Sequence, residues 1–177
     1  DVLACDAVGE YGLPGFDRQV GAFEEFAVAQ RQRYPGQLVT GGTYRTIISG
    51  AIAAFGWENL LLAAADQDRI QRVFESFFQR SCFFLRAWAR TSVEAVIVHD
   101  DFVWESGPFM NLDIYRNLLI PCYRRLFEIV HEAGKMVLFC SDGDFREFIE
   151  GIVEAGADGL IVEPVNFEFL AENFAPE

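Results

Sequence analysis

Long hydrophobic runs are missing from this chain of 177 residues. Stretches such as Leu60 to Ala65 stop far short of the roughly 18 residues that span a bilayer. No basic-then-apolar leader opens the sequence, and a soluble, cytoplasmic protein is expected. Positive charge is scarce as well: 14 Lys and Arg stand against 27 Asp and Glu, a formal charge of −13. Such a surface repels phosphate backbones and anionic lipid headgroups, so neither nucleic acid nor a membrane is an expected partner. The phosphate-cradling patterns Gly-x-Gly-x-x-Gly and the P-loop are absent, which argues against a nucleotide-binding α/β domain. Gly-x-Ser-x-Gly is absent too, so acyl transfer has no support. The cysteines, Cys5, Cys82, Cys122 and Cys140, are too widely spaced for a CxxC pair or a dense disulfide framework and suit a reducing compartment.

What the chain does have is a set of apolar runs that end in polar chemistry. Val96-Ile97-Val98 runs into His99-Asp100-Asp101, Val137-Leu138-Phe139 into Cys140-Ser141-Asp142-Gly143, and Leu160-Ile161-Val162 into Glu163-Pro164. Each reads as a buried strand with functional groups at its carboxyl end. Parallel α/β proteins build their sites there, because the loops after the strands converge on one face. An enzyme is therefore expected. About half the residues are apolar, enough for one core, and residues 1–177 read as a single domain.

Helical spacing predicts a helix over 16–33, ended by Tyr34-Pro35-Gly36, then a short strand over 37–40 and a turn at Gly41-Gly42. Two helices follow, one over about 46–63 weakened by Gly50 and Gly56, and one over about 67–89 capped by Asp66. After the His99-Asp100-Asp101 strand end, Asp113 is the expected cap of a helix reaching about Ala133, which Pro121 should bend or split. Asp144 and Glu147 have the spacing of a capping box for a helix ending at Gly156. Strands alternating with helices in this way demand a parallel sheet with right-handed crossovers. A closed barrel of eight units takes about 250 residues. The residues thus predict an α/β fold of about four parallel strands with flanking helices, either a partial barrel of the (β/α)8 TIM-barrel type or a small open doubly wound sheet. Starting at Asp1 and ending in Asn173-Phe174-Ala175-Pro176-Glu177 after a helical-looking segment with no finishing element, the sequence reads as cut at both ends.

Asp100 and Asp101 are adjacent, so in a strand their side chains point to opposite faces and one of them can aim into a barrel mouth. With Glu163 they are the candidate catalytic carboxylates. Cys140 at a strand end is a candidate zinc thiolate, and Asp142 is either an oxygen ligand or a loop acceptor. Trp104, Asp142 and Gly143 are candidate substrate-binding residues, with Phe109 beside Trp104 able to wall an aromatic ligand. Alternation is expected to turn His99 toward the helices, and His131 lies late in a helix, where it complements the dipole.

From about Ile47 to Phe174 the chain resembles the uroporphyrinogen decarboxylase superfamily, which also contains corrinoid-dependent methyltransferases. The resemblance rests on an ordered set: Gly56-Trp57-Glu58-Asn59-Leu60-Leu61, Val93 through Asp101, the helix with Pro121, Ser141-Asp142-Gly143-Asp144, and Ala155 through Pro164. It implies a (β/α)8 barrel. One chemistry it implies is decarboxylation of a tetrapyrrole carboxylate side chain in porphyrin biosynthesis, which needs no cofactor. The alternative is a zinc-dependent methyltransferase that moves a methyl group to or from a corrinoid, with a methyl donor and a corrinoid protein as partners. The His-x-Cys zinc motif of those methyltransferases would put Cys140 and Asp142 at its two ligand positions. A further alternative is a non-catalytic binding module whose exposed strand edges pair with a partner chain or a second copy.

Overall fold

A computed structural model describes residues 1–174. After a 3-10 turn at Val2–Ala4 come α1 (Ala7–Tyr11), α2 (Phe16–Arg33), β1 (Thr40–Tyr44), α3 (Ile48–Phe55), α4 (Trp57–Ala64), α5 (Gln67–Ala89) and β2 (Ala95–His99). The chain continues through α6 (Leu112–Ile114), a π-helical segment (Tyr115–Leu119), α7 (Ile120–His131), β3 (Met136–Ser141), α8 (Arg146–Glu154), β4 (Gly159–Val162), a 3-10 turn at Pro164–Asn166 and α9 (Phe167–Phe174). The fold is α/β: a four-stranded, wholly parallel sheet of order β1-β2-β3-β4 flanked by helices.

Strand alternation divides the sheet. Val96 and Val98 of β2 and Val137 and Phe139 of β3 are fully buried beneath the helices, with α5 and α7 packed together above them. The core there is aromatic: Phe102 lies edge-on to Phe139 and Tyr123, with ring centroids 5.5 and 5.8 Å away. The opposite face is less covered, with Tyr44, Met136 and Ile161 exposed and Ile97 and Leu138 half-buried.

Several local expectations change. Gly41 and Gly42 are not a turn but the middle of β1. The ring of Trp88 on α5 lies where a side chain on Gly41 would go, and a Cβ on Gly42 would come within 3.0 Å of the Ile97 carbonyl oxygen. The expected helix over 46–63 is two helices, because Gly56 adopts a φ of +75° between them. Asn111, not Asp113, caps the next helix, its Oδ1 accepting from the Asp113 N–H at 2.9 Å. Pro121 sits in the first turn of α7, directly after the π-helical segment; widening that turn accommodates a ring that would otherwise crowd the preceding carbonyls. No capping box forms before α8. Asp144 is clamped by the Arg146 guanidinium, with Nε–Oδ1 at 2.8 Å, and Glu147 pairs with Arg116 at 2.6 Å. Asp66 does cap α5, accepting from the Arg69 N–H at 3.1 Å.

Candidate functional site

Because the strands are parallel and in register, His99, Cys140 and Ile161 stand side by side at the carboxyl end of the sheet. The chemistry-bearing residues that follow each strand therefore share one rim. The adjacent aspartates divide as alternation requires. Asp100 is fully buried on the helical side. Its Oδ2 accepts from the N–H groups of Ile47 (2.8 Å) and Ile48 (3.0 Å) and from the Tyr123 hydroxyl (2.7 Å). Its Oδ1 accepts from the Ser49 N–H (2.6 Å) and hydroxyl (2.7 Å). Asp100 thus anchors the amino end of α3 to the end of β2. Burial, followed by the Asp100 charge, pushes the Tyr123 phenol well above its ordinary range.

Asp101 points the other way. Its Oδ1 accepts from Nε2 of His99 at 2.9 Å, and its Oδ2 accepts from the Tyr44 hydroxyl at 3.3 Å. The Tyr44 ring stands edge-on to the His99 imidazole at 4.4 Å. His99, expected to face the helices, therefore lies on the open face within this group, because the apolar members of β2 that must be buried are Val96 and Val98. Asp142 completes the arrangement from the loop after β3: one ligand atom each from His99, Asp101 and Asp142 lies within 4.8 Å of the others. Burial, then the charges of Asp101 and Glu163, raise the Asp142 carboxyl above its usual range, against a smaller pull from His99.

Cys140 shares the face but stands outside that group of three. Burial, then Asp142 and Asp101, push its thiol up to about 11, so it is protonated at neutral pH. Glu163 accepts from the Gly143 N–H at 3.0 Å and ties the loops after β3 and β4 together. Gly143 has a φ of +83° and packs against the Trp104 carbonyl, where no side chain fits; its N–H and C=O are held by Glu163 and Asn166. Trp104 is half-exposed and packs with Trp57 and Phe109, at centroid distances of 4.9 and 6.3 Å. These three rings fill the space between themselves and form a hydrophobic wall, not an open cage. His131 is on the far side of the molecule, 2.9 Å from Asp158.

No family model matches the chain, and neither does any curated protein or solved structure.

The donor set suits a divalent cation. An imidazole nitrogen and carboxylate oxygens are the ligands of zinc and related metals in open, reactive sites. Among the described residues no Arg or Lys forms an ion pair with Asp101, Asp142 or Glu163; the one partner in such a pair is His99. The carboxylates of Asp101 and Asp142 repel one another, and that repulsion is the second cause, after burial, of the raised Asp142. Neither His99 nor Tyr44 was singled out as a site residue by sequence. The signal available for His99 was the phase of β2: once Val96 and Val98 are assigned inward to the helices, the residue at 99 must face Asp101's side.

Proposed function

We propose that the chain belongs to a (β/α)8-barrel enzyme of the uroporphyrinogen decarboxylase superfamily and that it uses the metal-dependent methyltransferase chemistry of that superfamily. The observation that carries this reading is the His99–Asp101–Asp142 group at the carboxyl rim, whose ligand atoms lie within 4.8 Å of one another and whose carboxylates form no ion pair with Arg or Lys among the described residues. Barrel winding is supported by the strand order, which runs in sequence without the reversal of a doubly wound sheet. It is supported too by the half-exposed face opposite the helices, which closure would turn into a barrel interior.

His99, Asp101 and Asp142 would hold the metal, and Cys140, paired in register with His99, stands outside that group. A bound zinc ion supplies a Lewis acid that lowers the pKa of a thiol or water and readies it as a nucleophile. Tyr44 fixes the orientation of Asp101 through its hydroxyl. Decarboxylation of a tetrapyrrole would instead call for cationic side chains to receive the substrate carboxylates, and the rim presents carboxylates.

Cobalt(II) titration tests the reading. Visible d–d bands at one equivalent, lost in His99→Ala and Asp101→Asn, support it. A thiolate charge-transfer band lost in Cys140→Ser would add Cys140 to the ligand set. Absence of binding at micromolar cobalt or zinc, with release of carbon dioxide from uroporphyrinogen, would replace this reading with decarboxylation. Methyl transfer from methylcobalamin to a thiol by the zinc-loaded protein is the activity expected.

A further inference from the structure

A cleft of about 670 Å³ opens on the helical side of β1, within the size range of small-molecule sites. Its walls are of two kinds: Phe23, Phe77 and Phe84 supply apolar surface, and Arg45 and Arg80 supply guanidinium groups. In a chain with a formal charge of −13, two arginines lining one cavity create a local field of the opposite sign. Arg80 gives one N–H to the Gly12 carbonyl at 3.0 Å and keeps its remaining donors. Arg45 sits over the Tyr44 ring at 5.7 Å and takes part in no ion pair among the described residues.

Two further observations single this cleft out. Arg45 has a φ of +65° and is the one non-glycine residue with positive φ among the described residues. A long L side chain takes that conformation at a cost, and such strain collects at binding sites. In addition, Thr43 Oγ1 is buried without a hydrogen-bond partner and Thr43 lines the same cleft. Among the described residues the other such atom is Trp88 Nε1, and Trp88 lines the adjoining cleft along the same strand. Orphaned polar atoms are rare in folded proteins and each asks for a partner.

We propose that this cleft binds a small ligand that carries an anionic group, a carboxylate or a phosphate ester, on an aromatic or apolar body. Arg45 and Arg80 take the anion, the phenylalanines take the body, and the Thr43 hydroxyl gains its missing partner. Tyr44 borders the cleft and donates to Asp101, so the bound ligand and the His99–Asp101 pair are in contact through one side chain. The site needs none of the metal ligands and stands whether or not a metal binds.

The test uses the full chain in chelator-containing buffer and a panel of aryl carboxylates and aryl phosphates, each paired with its neutral amide or alcohol. Binding is followed by amide chemical shifts and calorimetry. At least one acid is expected to bind about tenfold more tightly than its neutral partner and to shift the amides of Thr43, Gly50 and Phe84. Arg45→Asn, whose side chain tolerates the left-handed region, is expected to weaken that binding about tenfold. Thr43→Val is expected to raise Tm while weakening binding, and Arg90→Gln, outside the cleft, to change neither. A carboxylate or a phosphate preference identifies which anion the site takes. The proposal is overturned if no panel member binds below ~10 mM, if acids and neutral partners bind alike, or if Arg45→Asn and Thr43→Val bind as the parent does.

Discussion

The two rims of the sheet use charge differently. At the amino-terminal rim charged groups are engaged with backbone. Lys135 donates to the carbonyls of Thr91 (2.7 Å) and Val93 (2.8 Å), Glu94 accepts from the Val39 N–H (3.3 Å), and Asp158 accepts from the Val137 N–H (2.7 Å) and pairs with His131 (2.9 Å). Glu24 reaches from α2 to the Ser92 N–H at 2.7 Å. At the carboxyl-terminal rim Asp101, Asp142 and Glu163 lie near one another, and among the described residues His99 is the one ion-pair partner of these three. A fold has no use for like charges brought together, since each raises the cost of ionising the next. The amino rim holds strands in place, and the carboxyl rim gathers the carboxylates that the proposed function assigns to a metal.

Asp100 is the sharpest test of that division, because it stands at the carboxyl rim yet has the environment of a structural group. Asp100→Ala leaves three N–H groups and two hydroxyls without their acceptor, and a loss of about 3–5 kcal/mol is expected in urea unfolding. A loss under about 1 kcal/mol would dissolve the distinction between Asp100 and Asp101. The next largest effect is on binding. His99→Ala and Asp101→Asn should weaken divalent metal binding by more than about tenfold while unfolding free energy moves by no more than about 0.5 kcal/mol. A large loss of stability in either would make this rim structural like the other.

Asp158→Ala is expected to cost about 1 kcal/mol, since the side chain is partly exposed and its ion pair is screened. Burial pushes the Asp158 carboxyl up, but the Val137 N–H and His131 outweigh it and hold it below the usual range. A depressed carboxyl stabilises the fold above its ordinary value, about pH 4, and loses that contribution as pH falls through the lower folded value. Parent and variant curves should therefore converge in acid. Asp142 has the opposite sign. Its raised carboxyl makes ionisation cost stability as pH rises past the ordinary carboxylate range, so Asp142→Asn should stabilise the metal-free protein at neutral pH by a few tenths of a kcal/mol, discounted for exposure. Saturating zinc should reverse that ranking. Equal pH dependence of both variants would remove the contrast between the rims.

Strand ends were legible because an apolar run stopping at an acidic residue needs no tertiary information to be read. The long helix over 67–89 with its Asp66 cap was legible from period and capping for the same reason. Gly41-Gly42 was misread since the case for a turn and the case for a flat strand segment use the same residues, and only the Trp88 ring lying against Gly41 separates them. The Asp144–Glu147 spacing fits a capping box, but the nearby guanidiniums of Arg146 and Arg116 took both carboxylates. The left-handed backbone at Arg45 left no trace, because arginine does not advertise it.

Burial period and charge are local properties, so the sequence is enough to specify an acidic α/β chain with parallel strands whose carboxyl ends carry acidic, imidazole and thiol groups. Tertiary structure alone decided that Asp100 is a buried anchor while Asp101 meets His99, Tyr44 and Asp142, and that Cys140 stands beside that group. Residues 44, 99, 101 and 142 come from three different strand ends, and only parallel pairing in a single register brings them within reach of one another.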